Sequence, residues 1–265
     1  MSAKDGFVDI HCHLLPGIDD GAQNWDETLA MAKMAVDDGI TTIIATPHQL
    51  GNYETNTGDQ IRKLTAETRQ FLLDHQVPLR VLPGADVRIE DDMVAMIRRW
   101  EVLTLGDHGR HVLLELPHEL YFPLEPVLNE LARFNMVGIL SHPERNQGLL
   151  ARPEVLPGLV DAGCLMQVTA GSLVGTFGPR PQQLSEWMLS HGLVHIMATD
   201  AHSPKTRRPK LARAYRRVAE LQNEETASAL CCEHPAAVAA GRDVPLGRWQ
   251  NEGQHDDRAR RRRAG

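Results

Sequence analysis

The sequence predicts an α/β fold, a distorted (β/α)7 barrel of the TIM-like kind built as a single domain. Three observations predict it. Strand-like apolar runs alternate with helix-like periodic stretches seven times along the chain. The strand runs are almost wholly Val, Ile, Leu and Ala, as parallel strands covered on both faces must be. Six of the seven runs are followed at once by imidazole or carboxylate side chains, and in α/β barrels the loops after the strands build the active site. The barrel is expected over residues 1–246, and the polar, arginine-rich residues 247–265 are expected to form a disordered tail.

The first strand is Phe7-Val8-Asp9-Ile10, running into His11-Cys12-His13. Alternate strand side chains face opposite ways, so His11 and His13 share one side and Cys12 takes the other. Asn24 begins a helix as its cap, with Glu27 three residues on as in a capping box, and Gly39 ends it. Strand two, Thr41-Thr42-Ile43-Ile44-Ala45, leads to Thr46-Pro47-His48. A helix over 59–75 precedes strand three, Leu79-Arg80-Val81-Leu82, which leads to Pro83-Gly84-Ala85-Asp86. A short helix over 91–99 is followed by strand four, His111-Val112-Leu113-Leu114-Glu115. A helix over 124–134 leads to strand five, 136–140, which ends in Ser141-His142-Pro143-Glu144-Arg145. Helix 153–162 leads to strand six, Leu165-Met166-Gln167-Val168-Thr169, which delivers no obvious ligand. Helix 181–191 leads to strand seven, 193–198, then Thr199-Asp200-Ala201-His202, and residues 210–240 read as helical.

A lone His-x-His says little in a chain with 13 histidines. The strand-end set says more: His11, His13, His48, Asp86, Glu115, His142, Asp200 and His202, with Asp20 in the first loop. The remaining histidines (75, 108, 111, 118, 191, 195, 234 and 255) lack this placement or lack partners and read as surface or core. Imidazole and carboxylate donors without thiolates favour Mn²⁺, Fe²⁺ or Zn²⁺, and so many donors imply two or three ions sharing carboxylates. Clustered divalent ions generate a hydroxide nucleophile near neutral pH and suit phosphoryl transfer. Arg145 and Arg207 lie close enough in sequence to reach the same mouth and grip a phosphate. Other nucleophile schemes fail: a Cys12-x5-Arg loop would need arginine where Ile18 stands, and the chain has no Gly-x-Ser-x-Gly elbow, P-loop or dinucleotide fingerprint.

With 42% hydrophobic and 24% charged residues the composition is that of a globular protein. A net charge of -7 argues against a general nucleic-acid binder. No apolar run approaches the roughly 20 residues a bilayer demands, and the start lacks a signal-peptide core, so no membrane insertion and a cytoplasmic location are expected. Cys12, Cys164, Cys231 and Cys232 show no paired spacing and read as reduced thiols.

These residues resemble the polymerase-and-histidinol-phosphatase (PHP) superfamily, and within it the CpsB/YwqE-type bacterial tyrosine-protein phosphatases of capsule and exopolysaccharide loci. The resemblance rests on Asp9-Ile10-His11-Cys12-His13, Asp19-Asp20-Gly21, Thr46-Pro47-His48, Gly84-Ala85-Asp86, Leu114-Glu115, Ser141-His142-Pro143-Glu144-Arg145 and Thr199-Asp200-Ala201-His202, and covers roughly residues 7–240. It implies three metal ions, usually manganese. His11, His13 and Asp200 would hold one, Glu115 and His142 a second, and Asp20, His48 and His202 a third. Asp86 would bridge the first two, one methylene shorter than the glutamate usual there. Arg145 and Arg207 match the phosphate-binding arginines. The implied reaction is hydrolysis of phosphotyrosine on a bacterial tyrosine kinase or its substrates by a metal-bridging hydroxide. Two other readings stand beside it: a small-molecule phosphomonoesterase of the histidinol-phosphate type, and a non-catalytic phosphotyrosine-binding partner.

Overall fold

A computed structural model describes residues 6–249. Seven parallel arms form a ring, two of them broken into two pieces. The arms are β1 (Phe7–Cys12), β2 (Ile40–Ala45) continued by β3 (His48–Gln49), β4 (Arg80–Pro83) continued by β5 (Asp86–Arg88), β6 (His111–Glu115), β7 (Val137–Ser141), β8 (Leu165–Thr169) and β9 (Ile196–Ala198). The hydrogen-bonded orders are β1-β2-β4 and β3-β5-β6-β7-β8-β9, and every pairing is parallel. The breaks fall where Pro47 and Gly84 interrupt the arms. Gly84 is required there, because a Cβ on it would lie 2.6 Å from Ile44 Cγ2.

The ring meets itself between β9 and β1. Asp200 N donates to His11 O at 2.7 Å, His13 N donates to Ala201 O at 2.8 Å, and Cys12 and Ala201 form a parallel bridge. Beneath that seam the buried Asp9 carboxylate accepts from Thr199 N at 2.9 Å and from the Thr199 hydroxyl. Burial pushes the Asp9 carboxyl up to about 6, although the Thr199 hydrogen bonds work the other way.

Side-chain alternation sorts the arms into two layers. Val8, Ile10, Ile44, Leu82, Leu113, Ile139, Leu165, Ile196 and Ala198 pack together as the barrel interior, closed at its base by Leu105, Val238, Ala239 and Val244. Phe7, Ile43, Val81, Val112, Leu114, Met166 and Met197 face outward into a larger cluster with the helices. Two residues above the interior layer, period-2 alternation aims Glu115, Gln167 and Asp200 into the mouth. The first strand needs a correction to this rule. Val8 and Ile10 face inward, so regular alternation would turn His11 outward. An irregularity in register between Asp9 and Cys12 reverses the phase, puts Cys12 in the outer cluster and turns His11 and His13 inward together.

The helices follow their sequence signals with local differences. Asn24 caps α1 (Trp25–Asp37) by accepting from Glu27 N at 3.0 Å, but Glu27 reaches back to Gln23 N and not to the Asn24 backbone, so the box expected there is half formed. A complete box opens α2 (Gly58–Asp74), between Thr57 and Gln60. Helices α3 (Met93–Arg98), α4 (Glu125–Arg133), α5 (Gln147–Ala151), α6 (Leu156–Asp161), α7 (Ala170–Leu173) and α8 (Pro179–Ser190) follow. The stretch read as helical over 210–240 is four pieces: α9 (Ala212–Leu221), α10 (Glu224–Ser228), a π turn (Ala229–Glu233) and α11 (His234–Ala239). Asn223, capping α10 through Thr226 N, starts a new helix where periodicity alone shows one.

Gly247, Arg248 and Trp249, assigned by sequence to the tail, pack on the barrel. Trp249 Nε1 donates to Val194 O at 2.7 Å, and Gly247 O lies 2.9 Å from His195 Nε2. The rest of the expected disordered tail lies outside the described residues. No described helix is long and apolar enough to cross a membrane.

His111 is buried at the start of β6, and among the described residues neither ring nitrogen has a hydrogen-bond partner. Burial, aided by Arg110, pulls its pKa from 6.5 down to about 4. The unfolded chain therefore binds the proton first, and the stability carried by neutral His111 is present above pH 6.5 and lost as pH falls through 4. The loss is on the order of 2–3 kcal/mol. His111→Leu is expected to lower the acid-unfolding midpoint without loss of stability at pH 7, read by circular dichroism; an unchanged midpoint would refute the assignment.

Candidate metal centre

The first arm and its loop bring four of the site's groups. His11 and His13, both fully buried, approach through their Nε2 atoms at 3.3 Å. Each ring is held from behind: His11 Nδ1 lies 2.8 Å from Gln167 Oε1, and His13 Nδ1 2.7 Å from Asp19 Oδ2. These contacts leave the two Nε2 atoms turned toward the mouth, the usual arrangement for a metal-binding imidazole. Asp19 also accepts from Gly21 N at 2.9 Å and from His48 N at 3.1 Å. Gly21 folds back over His13, where any Cβ would collide with the His13 carbonyl and side chain. The Asp-Asp-Gly loop thus divides its labour: Asp19 orients, Gly21 permits the close approach, and Asp20 points outward to His48 Nε2 at 3.5 Å and His202 Nε2 at 3.4 Å.

Asp86 is the innermost acid. It stands opposite His48 in the β3–β5 pairing, and its Oδ2 lies 3.4 Å from His48 Nδ1 and 3.5 Å from His11 Nε2. Among the described residues neither Asp86 oxygen nor His48 Nδ1 has a hydrogen-bond partner, although all three are buried. Buried polar atoms without partners are expensive. A cation between them removes that cost, so the donor set fits divalent metal. Asp200 is the most contacted group. Its Oδ1 lies 3.2 Å from His11 Nε2 and 3.5 Å from both His13 Nε2 and His202 Nδ1, while Arg145 Nη1 and Arg207 Nη2 both contact its Oδ2. Both Asp200 (φ 49°) and His142 (φ 35°) hold left-handed backbone, a strain of a kind concentrated at functional sites.

The donor atoms fall into four overlapping groups, each within 4.8 Å: His13, Asp20, His48 and His202; His11, His142 and Asp200; His11, His13 and Asp86; and His48, Asp86 and Glu115. All nine expected metal-site residues therefore meet at one mouth. Asp20, His48 and His202 lie together, with His13 in the same group. The donor atoms of His11, His13 and Asp200 also lie together, at 3.2 to 3.5 Å from one another, while His142 groups with His11 and Asp200, and Glu115 with His48 and Asp86. Asp86, though short, belongs to two groups, because Gly84 lets β4 run close to β2 before β5 begins.

The charges interlock. Burial opposes a proton on His11 and on His48, yet the facing carboxylates Asp200 and Asp86 for the first, Asp20, Asp86 and Glu115 for the second, raise both to about 9. Burial and Arg145 push His142 well down, and burial and His13 push His202 down to about 4. Burial favours the neutral form of Asp86 and Asp200, but His11 with its neighbours outweighs it and holds both carboxyls below the ordinary range. Burial and the adjacent Asp86 raise Glu115 to about 7.

A cavity of about 180 Å³ opens over this cluster, lined by Asp20, His48, Glu115, His142, Arg145 and Arg207 among others. Arg145 sits on the Phe177 ring at 4.5 Å, and Arg207 Nε is buried with no hydrogen bond to a described residue. His118, read from sequence as surface or core, is exposed and lines the rim. Sequence reasoning quoted Asp19 in its motif without giving it a role, and missed Gln167 and Tyr53, whose ring stacks on His48 at 5.1 Å. Gln167 carried a signal: a polar residue on the inward face of an otherwise apolar strand.

Residues 7–240 match the family described as capsular polysaccharide synthesis, CpsB/CapC. The chain is 36% identical over 203 residues to tyrosine-protein phosphatase YwqE of Bacillus subtilis, covering 76% of this chain and 79% of that protein. It is 25% identical over 239 residues to tyrosine-protein phosphatase CpsB of Streptococcus pneumoniae, covering 88% and 98%. A crystal structure from work on YwqE of Bacillus subtilis and CpsB of Streptococcus pneumoniae, described as unique metal-dependent tyrosine phosphatases, superposes with a TM-score of 0.86 at 29% identity, covering 92% of this chain and 100% of that one. A dihydroorotase structure, with a TM-score of 0.52 at 12% identity over 92% of this chain and 73% of that one, shares the fold alone.

If the unpartnered atoms of Asp86 and His48 face a cation, chelator-treated protein should gain stability when Mn²⁺ is restored. At a hundredfold excess over Kd the gain is about 2.7 kcal/mol, or roughly 5–10 °C in Tm for a domain of this size. Asp86→Ala should lose most of that rise in a thermal scan. A variant that gains as much as wild type would remove Asp86 from the centre.

Proposed function

From the premise that this chain belongs to the CpsB/CapC family, we propose that it is a metal-dependent protein-tyrosine phosphatase serving capsule or exopolysaccharide synthesis. The observation that carries the reading is the meeting of four imidazole–carboxylate groups and two guanidiniums around one cavity, with buried polar atoms of Asp86, His48 and Arg207 that have no hydrogen bond among the described residues. Its substrate is a phosphotyrosyl protein, in our reading a bacterial tyrosine kinase or that kinase's targets, met in the cytoplasm. We assign His11, His13, Asp20, His48, Asp86, Glu115, His142, Asp200 and His202 as metal ligands for two or three divalent ions. Manganese is first among these, with iron and zinc as alternatives, because the donors are nitrogen and oxygen without sulfur. Such ions supply Lewis acidity, lowering the pKa of water and neutralising charge on phosphoryl oxygens.

The chain's own residues do the positioning. Arg145 and Arg207 present guanidinium donors to the equatorial phosphoryl oxygens, which gain charge in the transition state. To do so they exchange contacts they now make with Asp200, so phosphate binding and the freeing of Asp200 are linked. Phe177 beneath Arg145 fixes the plane of one guanidinium. Gln167 and Asp19 hold the tautomers of His11 and His13 by accepting from their Nδ1–H groups. His118 lines the cavity without belonging to any donor group, and we assign it to proton delivery to the departing phenolate oxygen. Tyrosine is a tolerable leaving group with a parent pKa near 10, so that help is modest.

Steady-state kinetics on a phosphotyrosyl peptide with added Mn²⁺ test this reading. His48→Ala and His142→Ala are expected to lower kcat/KM at least about 100-fold, and wild-type rates in either would sink the ligand assignment. Arg207→Ala should weaken phosphate binding and lower kcat as well as raise KM. His118→Gln should slow phosphotyrosine more than p-nitrophenyl phosphate, whose phenol leaves more easily, and equal effects on both would remove His118 from proton transfer. Turnover of small aliphatic phosphomonoesters that outruns the peptide by orders of magnitude would overturn the protein-phosphatase reading.

A further inference from the structure

A second cavity, of about 500 Å³, lies beside the metal centre, and Arg207 lines both. We propose that this cavity seats acidic residues flanking the phosphotyrosine of the substrate polypeptide, a specificity device that rests on the phosphatase reading above. Its wall carries Lys205, Arg208, Lys210, Arg213 and Arg216 in addition to Arg207. None of those five makes an ion pair with a described residue. The neighbouring Arg217, outside this cavity, shows the contrast, since Glu186 and Glu220 both neutralise it. The one acid on the wall, Asp38, is already engaged, with Oδ2 accepting from Leu211 N at 2.6 Å and Ala212 N at 2.8 Å.

Six cations around one hollow in a chain of net charge -7 repel one another, and an anionic occupant relieves that repulsion. The wall is preformed. Arg207 O accepts from His202 N at 2.9 Å and Ser203 N at 3.1 Å, which closes the loop carrying Lys205, and Leu211 anchors the following segment in the core. The hollow is concave with Val174, Phe177 and Ala214 between the cations, a form that accepts side chains of an extended peptide and not a flat bilayer. Because Arg207 joins the two cavities, an occupant whose phosphate lies over the metal centre reaches the second cavity only if it continues past the phosphorylated residue. A polypeptide does; a small phosphomonoester does not.

The test uses two fluorescein-labelled phosphotyrosyl peptides of equal length, one flanked by glutamates and the other by glutamines. Their Kd is read by anisotropy and their kcat/KM by phosphate release, with wild-type protein and with the double variant Lys210→Glu/Arg213→Glu. Wild type should favour the glutamate peptide about three- to tenfold, as two or three exposed ion pairs allow, and the preference should shrink as salt rises. The double variant should lose or invert the preference while hydrolysing p-nitrophenyl phosphate at the wild-type rate. Equal Kd for the two peptides with wild type would overturn the proposal, as would a preference that survives the double substitution. Retention on phosphatidylglycerol vesicles that the double variant abolishes, with the two peptides bound alike, would overturn it in favour of a membrane surface. Absence of any hydrolysis would count against the phosphatase reading alone, because the anisotropy preference still decides this one.

Discussion

The geometry of the mouth depends on the seam where the first strand meets the last. His11 and His13 come from one side of it, Asp200 and His202 from the other, and backbone hydrogen bonds from Asp200 to His11 and from His13 to Ala201 fix their spacing. Asp9 and Thr199 brace the seam from below. The phase change in β1 is part of the same device. Without it the two histidines would lie among the helices and Cys12 would line the mouth. A buried cysteine in the outer cluster, its thiol pushed up by burial and nearby acids, has no claim on the chemistry.

The electrostatics follow from crowding. Five carboxylates and five imidazoles share a space in which neither set is neutralised by solvent, so each acid depresses or raises its neighbours according to distance. Asp86 and Asp200 stay ionised because imidazoles and guanidiniums surround them, whereas Glu115, next to Asp86 and less well compensated, is pushed toward protonation. On the ligand assignment proposed above, a divalent cation would compete with protons for the same lone pairs, and its binding would release protons from His11 and His48.

Much of this was legible in the sequence, and the reason is physical. A parallel strand buried on both faces has no use for a charged side chain, so His48, Glu115 or Asp200 at a strand end stands out. Fold class and the converging residues could be read for that reason. What could not be read were features set by register and not by composition. The irregularity in β1 changes no residue type. The grouping of Glu115 with His48 and Asp86 depends on where β3 and β5 pair. Gln167 passes for a strand residue until its partner His11 is known, and Asp19 is hidden by its neighbour Asp20. The break of the last helical stretch turns on Asn223, which caps a new helix, and on a π turn that leaves no periodic mark.

The seam also sets an order of events for the chain. Its braces join residues 190 positions apart, Asp9 to Thr199, and the donors His11 and His202 sit at nearly the same separation. Closing so long a loop before any of those contacts exists is entropically costly and slow. A ribosome must deliver more than three quarters of these 265 residues before His11 and His13 meet Asp200. A fragment that stops short of the last strand lacks Asp200 and His202, and with them one whole side of the seam.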